Sequence, residues 1–133
     1  MVGVLVLTHG PLANELLAAA TTISGAEAEG VEALCLEWNI EPEEAFEQVR
    51  AACAAAAGDE GLLVLTDMYG GTPHNVARRV AENGSVELVS GVNLPMVVRL
   101  LCSSRDQLPL NELVDWIAAK GCSSIRTSHS GCD

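Results

Sequence analysis

The chain has 133 residues, 49% of them hydrophobic, and a formal net charge of −11 at neutral pH. That length closes one core of ordinary domain size without help from disulfides or metal, and the acidic balance excludes binding to a phosphate backbone. Phe and Tyr occur once each and Trp twice, so the aromatic platforms that stack single-stranded bases are missing and the core has to be Leu, Val, Ala and Ile.

No apolar stretch approaches the roughly 20 residues of a membrane span. The start of the chain lacks both a basic segment and a cleavage pattern, so no signal peptide is expected. The five cysteines, Cys35, Cys53, Cys102, Cys122 and Cys132, are odd in number and never spaced as C-x-x-C. That argues against a disulfide framework or zinc, predicts a reducing cytoplasm, and leaves most of the thiols as small core residues.

Along the chain, residues 2–7, 31–36, 61–66 and 86–90 are short, nearly continuous apolar runs, as strands buried on both faces require. Helical patterns lie between them. Leu12, Leu16, Leu17, Ala20 and Ile23 form a stripe that Gly25 ends. Residues 42–57 put Phe46, Val49 and Cys53 on one face, with Glu43, Glu44 and Glu47 near the start, where the helix dipole favours them. Thr72-Pro73 reads as an N-cap and first-turn proline, with Asn83-Gly84 as the exit. A fourth helix is predicted from about Pro95 to Cys102. A fifth covers 106–120, with Leu110, Leu113, Val114 and Ile117 inward and Gly121 as its stop. Residues 123–127 read as an edge strand, and 128–133 as a flexible tail. Strands alternating with helices predict a single α/β domain over 1–133 with a doubly wound, open parallel sheet.

Ligands of such sheets bind beyond the carboxyl ends of the strands. Thr8-His9-Gly10 follows the first strand, "TDMYGGTPHN" (66–75) the third and "SGVNLP" (90–95) the fourth. In the second loop Gly70 and Gly71 admit close backbone approach, and the opening turn of a helix offers free N–H groups to an anion, with the Thr72 hydroxyl beside them. Asp67, bonded to one nitrogen of His9, would leave the other nitrogen free as a nucleophile. Each part also has a plain structural reading: a histidine at a strand end, an aspartate capping a turn, a helix cap at Thr72, turn residues at Ser90 and Asn93. Their coincidence at one sheet edge favours chemistry. His74 is expected at the surface, His129 in the tail, and Trp38 either along the same edge or in packing.

These three motifs, "THG", "DMYGGTPHN" and "SGVNLPM", resemble the IIA domain of the mannose family of the bacterial phosphotransferase system (PTS), in order and spacing over nearly the whole chain. The resemblance implies a phosphocarrier, hence a phosphotransferase with a phosphohistidine intermediate. It accepts phosphate from phospho-HPr on His9, oriented by Asp67, with Gly10, Gly70, Gly71 and Thr72 lining the phosphate pocket. Thr8, Met68, Ser90 and Asn93 would form the rim. It implies strand order 2-1-3-4, a homodimer exchanging a C-terminal edge strand, and no metal or cofactor. Phosphate would pass to a IIB component on another chain, in sugar uptake or in a regulatory phosphorelay, and the protein would associate with a membrane IIC/IID permease without inserting. The family likeness places phosphate on Nε2. His74 departs from the small or apolar residue usual at its position.

Three other readings stay open on sequence. One is a non-catalytic binding module of the same fold. Another is a receiver-like domain phosphorylated on Asp67, although the acidic ligands it needs after the first strand are replaced by Thr8 and His9. The third is a metal-dependent hydrolase using His9, Asp67 and His74. A nucleotide-dependent kinase lacks its G-x-x-x-x-G-K-[ST] loop.

Overall fold

The computed structural model describes residues 1–82, 84–103 and 105–129. Four strands, β1 (Gly3–His9), β2 (Val31–Leu36), β3 (Leu62–Thr66) and β4 (Val86–Ser90), alternate with helices α1 (Leu12–Ser24), α2 (Pro42–Ala56), α3 (Thr72–Ala81) and α4 (Leu94–Cys102). A 3-10 turn (Arg105–Gln107) then leads to α5 (Leu110–Ser123). All strand pairs are parallel and the order is β2-β1-β3-β4, as the resemblance implied.

The continuous apolar runs are explained by cores on both faces of the sheet. Val4 and Val6 of β1 and Leu63 and Leu65 of β3 point to one side, where Ala13, Ala20, Met96, Val97, Leu100, Leu113 and Ile117 cover them from α1, α4 and α5. Leu5, Leu7, Leu62 and Val64 point to the other, against Ala45, Val49, Cys53, Val76 and Ala77 of α2 and α3. Burial on both faces is what removes the polar-apolar alternation from these strands. Because the chain crosses from β2 on one side of β1 to β3 on the other, the carboxyl ends of β1 and β3 flank the switch point where such sheets bind ligands.

Several predicted details are corrected. In α1 the buried residues are Ala13 and Ala20, while Leu12 and Ile23 are exposed. Small side chains let the helix lie close, so the inward face is centred on Ala13 and Ala20, with Leu16 and Leu17 of the predicted stripe packed against the same core. Gly25 does end the helix, in the left-handed conformation. The N-cap of α3 is Gly71, and Thr72 is already helical; Asn83, predicted at its exit, lies outside the described residues. Gly121 is no stop but a buried residue of α5, where a Cβ would meet the Met96 sulfur at 2.6 Å. Helix α5 therefore runs on through Ser123, and residues 125–129 pair with no strand among the described residues. Of the described thiols, only Cys53 is buried, and its pKa is pushed up to about 11 by that burial. Cys35 is half-buried, Cys102 and Cys122 are exposed, and Cys132 and the rest of 130–133 fall outside the described residues.

One buried cation stitches the amino edge together. Arg105 is 5% exposed, and its guanidinium donates to the carbonyls of Val2, Glu29 and Leu100, which lie before β1, before β2 and in α4. Removing it strands several buried acceptors at once. Arg105→Ala is expected to lower stability by about 3 kcal/mol, read as a lower urea midpoint at unchanged m-value.

Candidate active site

His9 is the last residue of β1 and Asp67 the first after β3. The β1–β3 register, Leu7 opposite Thr66, brings the two loops side by side. One oxygen of Asp67, Oδ2, accepts the His9 main-chain N–H at 3.1 Å and lies 2.8 Å from His9 Nδ1. An ionised carboxylate only accepts, so Nδ1 carries the ring proton and Nε2 the lone pair. The pair is sheltered, with side-chain exposures of 25% for His9 and 15% for Asp67. Asp67 Oδ1 is buried and accepts no hydrogen bond from the described residues.

Gly71 faces the unprotonated side of the ring. A Cβ there would lie 2.7 Å from His9 Cε1 and 3.2 Å from Nε2, so this glycine is the floor against which the imidazole rests. As N-cap of α3, Gly71 also puts the first-turn amides of that helix at this end of the sheet, without intrahelical acceptors. The loop before it is tied down by the Gly71 N–H on the Met68 carbonyl and the Asn75 side chain on the Gly70 carbonyl. Gly70 has φ +82 and open space at its Cα. Gly10, at φ +54, follows His9 and donates its N–H to the Leu36 carbonyl at the end of β2. Over the imidazole lies Trp38, stacked at 5.5 Å between centroids and 19° between planes. The resulting groove, about 630 Å³, is lined by His9, Pro11, Leu12, Glu15, Trp38, Asp67 and Met68.

The structure thus brings His9, Asp67, Gly10, Gly70, Gly71 and Met68 to one edge and leaves other candidates elsewhere. Thr8 is fully buried and its hydroxyl accepts the Ala13 N–H at 2.7 Å, so it anchors the start of α1 and forms no rim. Asn93 caps α4 by accepting from Met96 N–H and donates to the Gly121 carbonyl. With Ser90 it borders a separate hollow beside Met96 and Ile125. Thr72 is exposed and its hydroxyl makes no cap bond. His74, expected at the surface, is 5% exposed. It is hydrogen-bonded through Nδ1 to Thr66 at 3.2 Å and packed 4.9 Å from the Tyr69 ring. That removes it from the trio with His9 and Asp67, and among the described residues no three His, Cys, Asp or Glu groups gather to hold a metal. Trp38 and Leu12 are the groove residues that sequence reading placed least well. Leu12 belonged to a helical stripe, and the only signal for Trp38 was its place just beyond β2.

An open doubly wound sheet whose switch crevice holds an aspartate-bonded histidine defines an α/β protein with a polar site at its carboxyl edge. The chain belongs to the family described as the PTS system fructose IIA component, EIIA-man, which matches residues 3–118. It is 33% identical over 114 residues to the PTS system mannose-specific EIIAB component of Escherichia coli (strain K12), covering 85% of this chain and 35% of that protein. A match to the PTS system fructose-specific EIIA component of Bacillus subtilis (strain 168) is 39% identical over 59 residues, 44% of this chain and 40% of that one. The matches thus span about a third to two fifths of the length of these curated relatives. Among solved structures, the mannose/sorbose specific IIA subunit from Enterococcus faecalis superposes with a TM-score of 0.85 at 25% identity, covering 96% of this chain and 94% of that one. Component EIIA from Streptococcus agalactiae superposes with 0.81 at 26% identity, covering 99% and 100%. Among the described residues no helix is long and apolar enough to cross a membrane.

Two outcomes follow from this geometry. Gly71 has φ −73 and ψ 167, a backbone open to any residue, so Gly71→Ala strikes only the His9 ring. It is expected to change stability by less than about 1 kcal/mol while displacing the imidazole from Asp67, read as loss of the hydrogen-bonded Nδ1 proton signal by NMR. Burial first, and the Arg78 charge second, hold the His74 pKa below its ordinary 6.5. The folded value lies below the unfolded one, so this contribution to stability is complete above the unfolded pKa and is lost as pH falls through the folded pKa. Urea midpoints should therefore decline more steeply below pH 6.5 in the parent than in His74→Asn, and parallel curves would contradict this.

Proposed function

We propose that the protein is a phosphocarrier that takes a phosphoryl group from phospho-HPr on His9 Nε2 and hands it to a IIB component. The observation that carries this reading is the Nδ1–Asp67 bond at 2.8 Å, which leaves Nε2 as the free lone pair beside Gly71. In the forward step the Nε2 lone pair attacks phosphorus and the donor's P–N bond breaks, its electron pair returning to the donor ring. The positive charge that develops on His9 is balanced by Asp67. The phosphoryl oxygens would meet the first-turn amides of α3, with Gly70, Gly71 and Thr72 around them and Gly10 leaving room beside the ring. The acceptor step runs the same chemistry in reverse.

The family and the surface support a set of partners. The name of the Escherichia coli relative couples an A and a B component, which supports a IIB domain or chain as acceptor. Leu12, Trp38 and Met68, all large and exposed, line the groove beside the histidine and suit protein surfaces that dock in turn. Among the described residues the outer edge of β4 is unpaired and residues 125–129, with Ile125 exposed, join no strand. Both features support a homodimer in which that segment joins the sheet of a second copy. The cytoplasm is the compartment in which these partners meet, and association with a IIC/IID permease requires no insertion of this chain. Uptake and a regulatory phosphorelay use the same site.

Incubation with phosphoenolpyruvate, enzyme I and HPr should label the protein with an acid-labile, alkali-stable phosphate located on His9 by mass spectrometry. Label retained by His9→Ala removes the site assignment, and no labelling of the parent by any HPr points to the binding module. Asp67→Asn should fold as the parent does and transfer about 100-fold more slowly or worse, measured by rapid-quench phosphorylation.

A further inference from the structure

We infer that Trp38 is a positioning residue for the phosphoryl-carrying histidine: its indole fixes the plane of the His9 imidazole and closes that face of the ring to water. This inference rests on the phosphocarrier reading and adds to it a residue outside the three motifs.

The indole's placement is built into the backbone. His9 pairs with Leu36 in the β1–β2 register, and the Gly10 N–H on the Leu36 carbonyl at 2.8 Å clamps the two strand ends. Trp38, two residues past Leu36, therefore turns back over the end of β1. Gly10 makes the space. A Cβ on it would come within 2.9 Å of the indole Nε1 and 3.0 Å of Cε2 and Cζ2, and its φ of +54 is one that L side chains seldom adopt. The offset stack, 5.5 Å and 19°, is within the range in which aromatic rings attract beyond their area. A 72% exposed tryptophan is otherwise a poorly covered apolar side chain; here its inner face is spent on the imidazole.

With Trp38 in place the ring is fixed on three sides: Asp67 at Nδ1, Gly71 against the Cε1–Nε2 edge and the indole across a face. Asp67 alone leaves the ring free to rotate about the Nδ1 contact. The stack removes that freedom and holds Nε2 toward the α3 amides. The indole also separates the His9 groove from a second groove, about 400 Å³, lined by Gly10, Pro11, Asn14, Cys35, Leu36 and Glu37 together with Trp38 itself. Its loss would open the ring face to water from that side. Hydrolysis, in which water oxygen attacks phosphorus and the P–N bond electrons return to Nε2, is the side reaction a carrier has to suppress.

The test uses the full chain, with Trp38→Leu removing the stack and Trp38→Phe retaining a smaller one. His9 is loaded chemically with phosphoramidate, which needs no partner protein, and the loss of phosphohistidine is followed at pH 7.5. Hydrolysis about fivefold faster in Trp38→Leu, within about twofold of the parent in Trp38→Phe, and equal in all three once denatured in alkali supports the inference. Loss of the ring-current shift of the His9 carbon-bound protons in unphosphorylated Trp38→Leu is the accompanying signature. Equal native half-lives, or unchanged His9 shifts, overturn the role of Trp38 and leave the phosphocarrier reading standing. A parent that loads no phosphate on His9 even from phosphoramidate overturns both.

Discussion

Asp67 Oδ2 accepts two hydrogen bonds from one residue, the main-chain N–H and the ring N–H of His9, and the site is organised around that double contact. The main-chain bond fixes where β1 ends relative to the loop after β3. The ring bond sets the tautomer. One carboxylate oxygen thereby couples the geometry of the sheet to the chemistry of the imidazole. It can do so only because β1 and β3 are neighbours, in a sheet whose order places β2 and β4 outside them. Were β2 inserted between β1 and β3, His9 and Asp67 would be separated by about 10 Å, two strand spacings.

The glycines at the site act by proximity as well as by backbone freedom. Gly71 has an ordinary φ, yet its missing side chain lets the N-terminus of α3 reach the edge of the imidazole. Gly10 combines a left-handed φ with a surface flat enough to carry the Trp38 ring. The two residues admit a helix end on one side of His9 and an aromatic plane on another. A Cβ at either position would push against a group that touches the ring.

Much of the fold was legible in the sequence because burial on both faces writes itself into short apolar runs such as 62–66 and 2–7, and Gly25 marks a real helix end. What was not legible depended on which neighbour a residue meets. Gly121 looks like a stop by composition, but its role is set by Met96 lying across it, a contact that no local pattern records. The same holds for the polar residues. Thr8 near the end of β1, Asp67 after β3 and Asn93 after β4 all read as site candidates, yet Thr8 and Asn93 spend their oxygens on the first turns of α1 and α4. Only Asp67 faces across to another strand. His74 read as surface because a histidine in a first helical turn usually is; its burial comes from Tyr69 folding over it and from Thr66 offering a partner beneath.

A carrier has to hold a phosphoryl group firmly enough to keep it from water and loosely enough to give it away. Among the described residues that line the His9 groove there is no lysine or arginine, so the groove lining offers no guanidinium or ammonium for a charge-assisted pair with a phosphate, the strong kind of contact. On the phosphocarrier reading, the holding is left to helix amides, whose attraction for an anion is modest, and to Asp67, which acts on the ring and not on the phosphate. Protection from water then has to come from shape rather than charge, which explains why the histidine of so acidic a chain is enclosed by Leu12, Met68 and Trp38. The apolar rim that shelters the ring is also the surface a partner has to cover to reach Nε2. On the same reading, docking would exclude water at the moment when transfer begins.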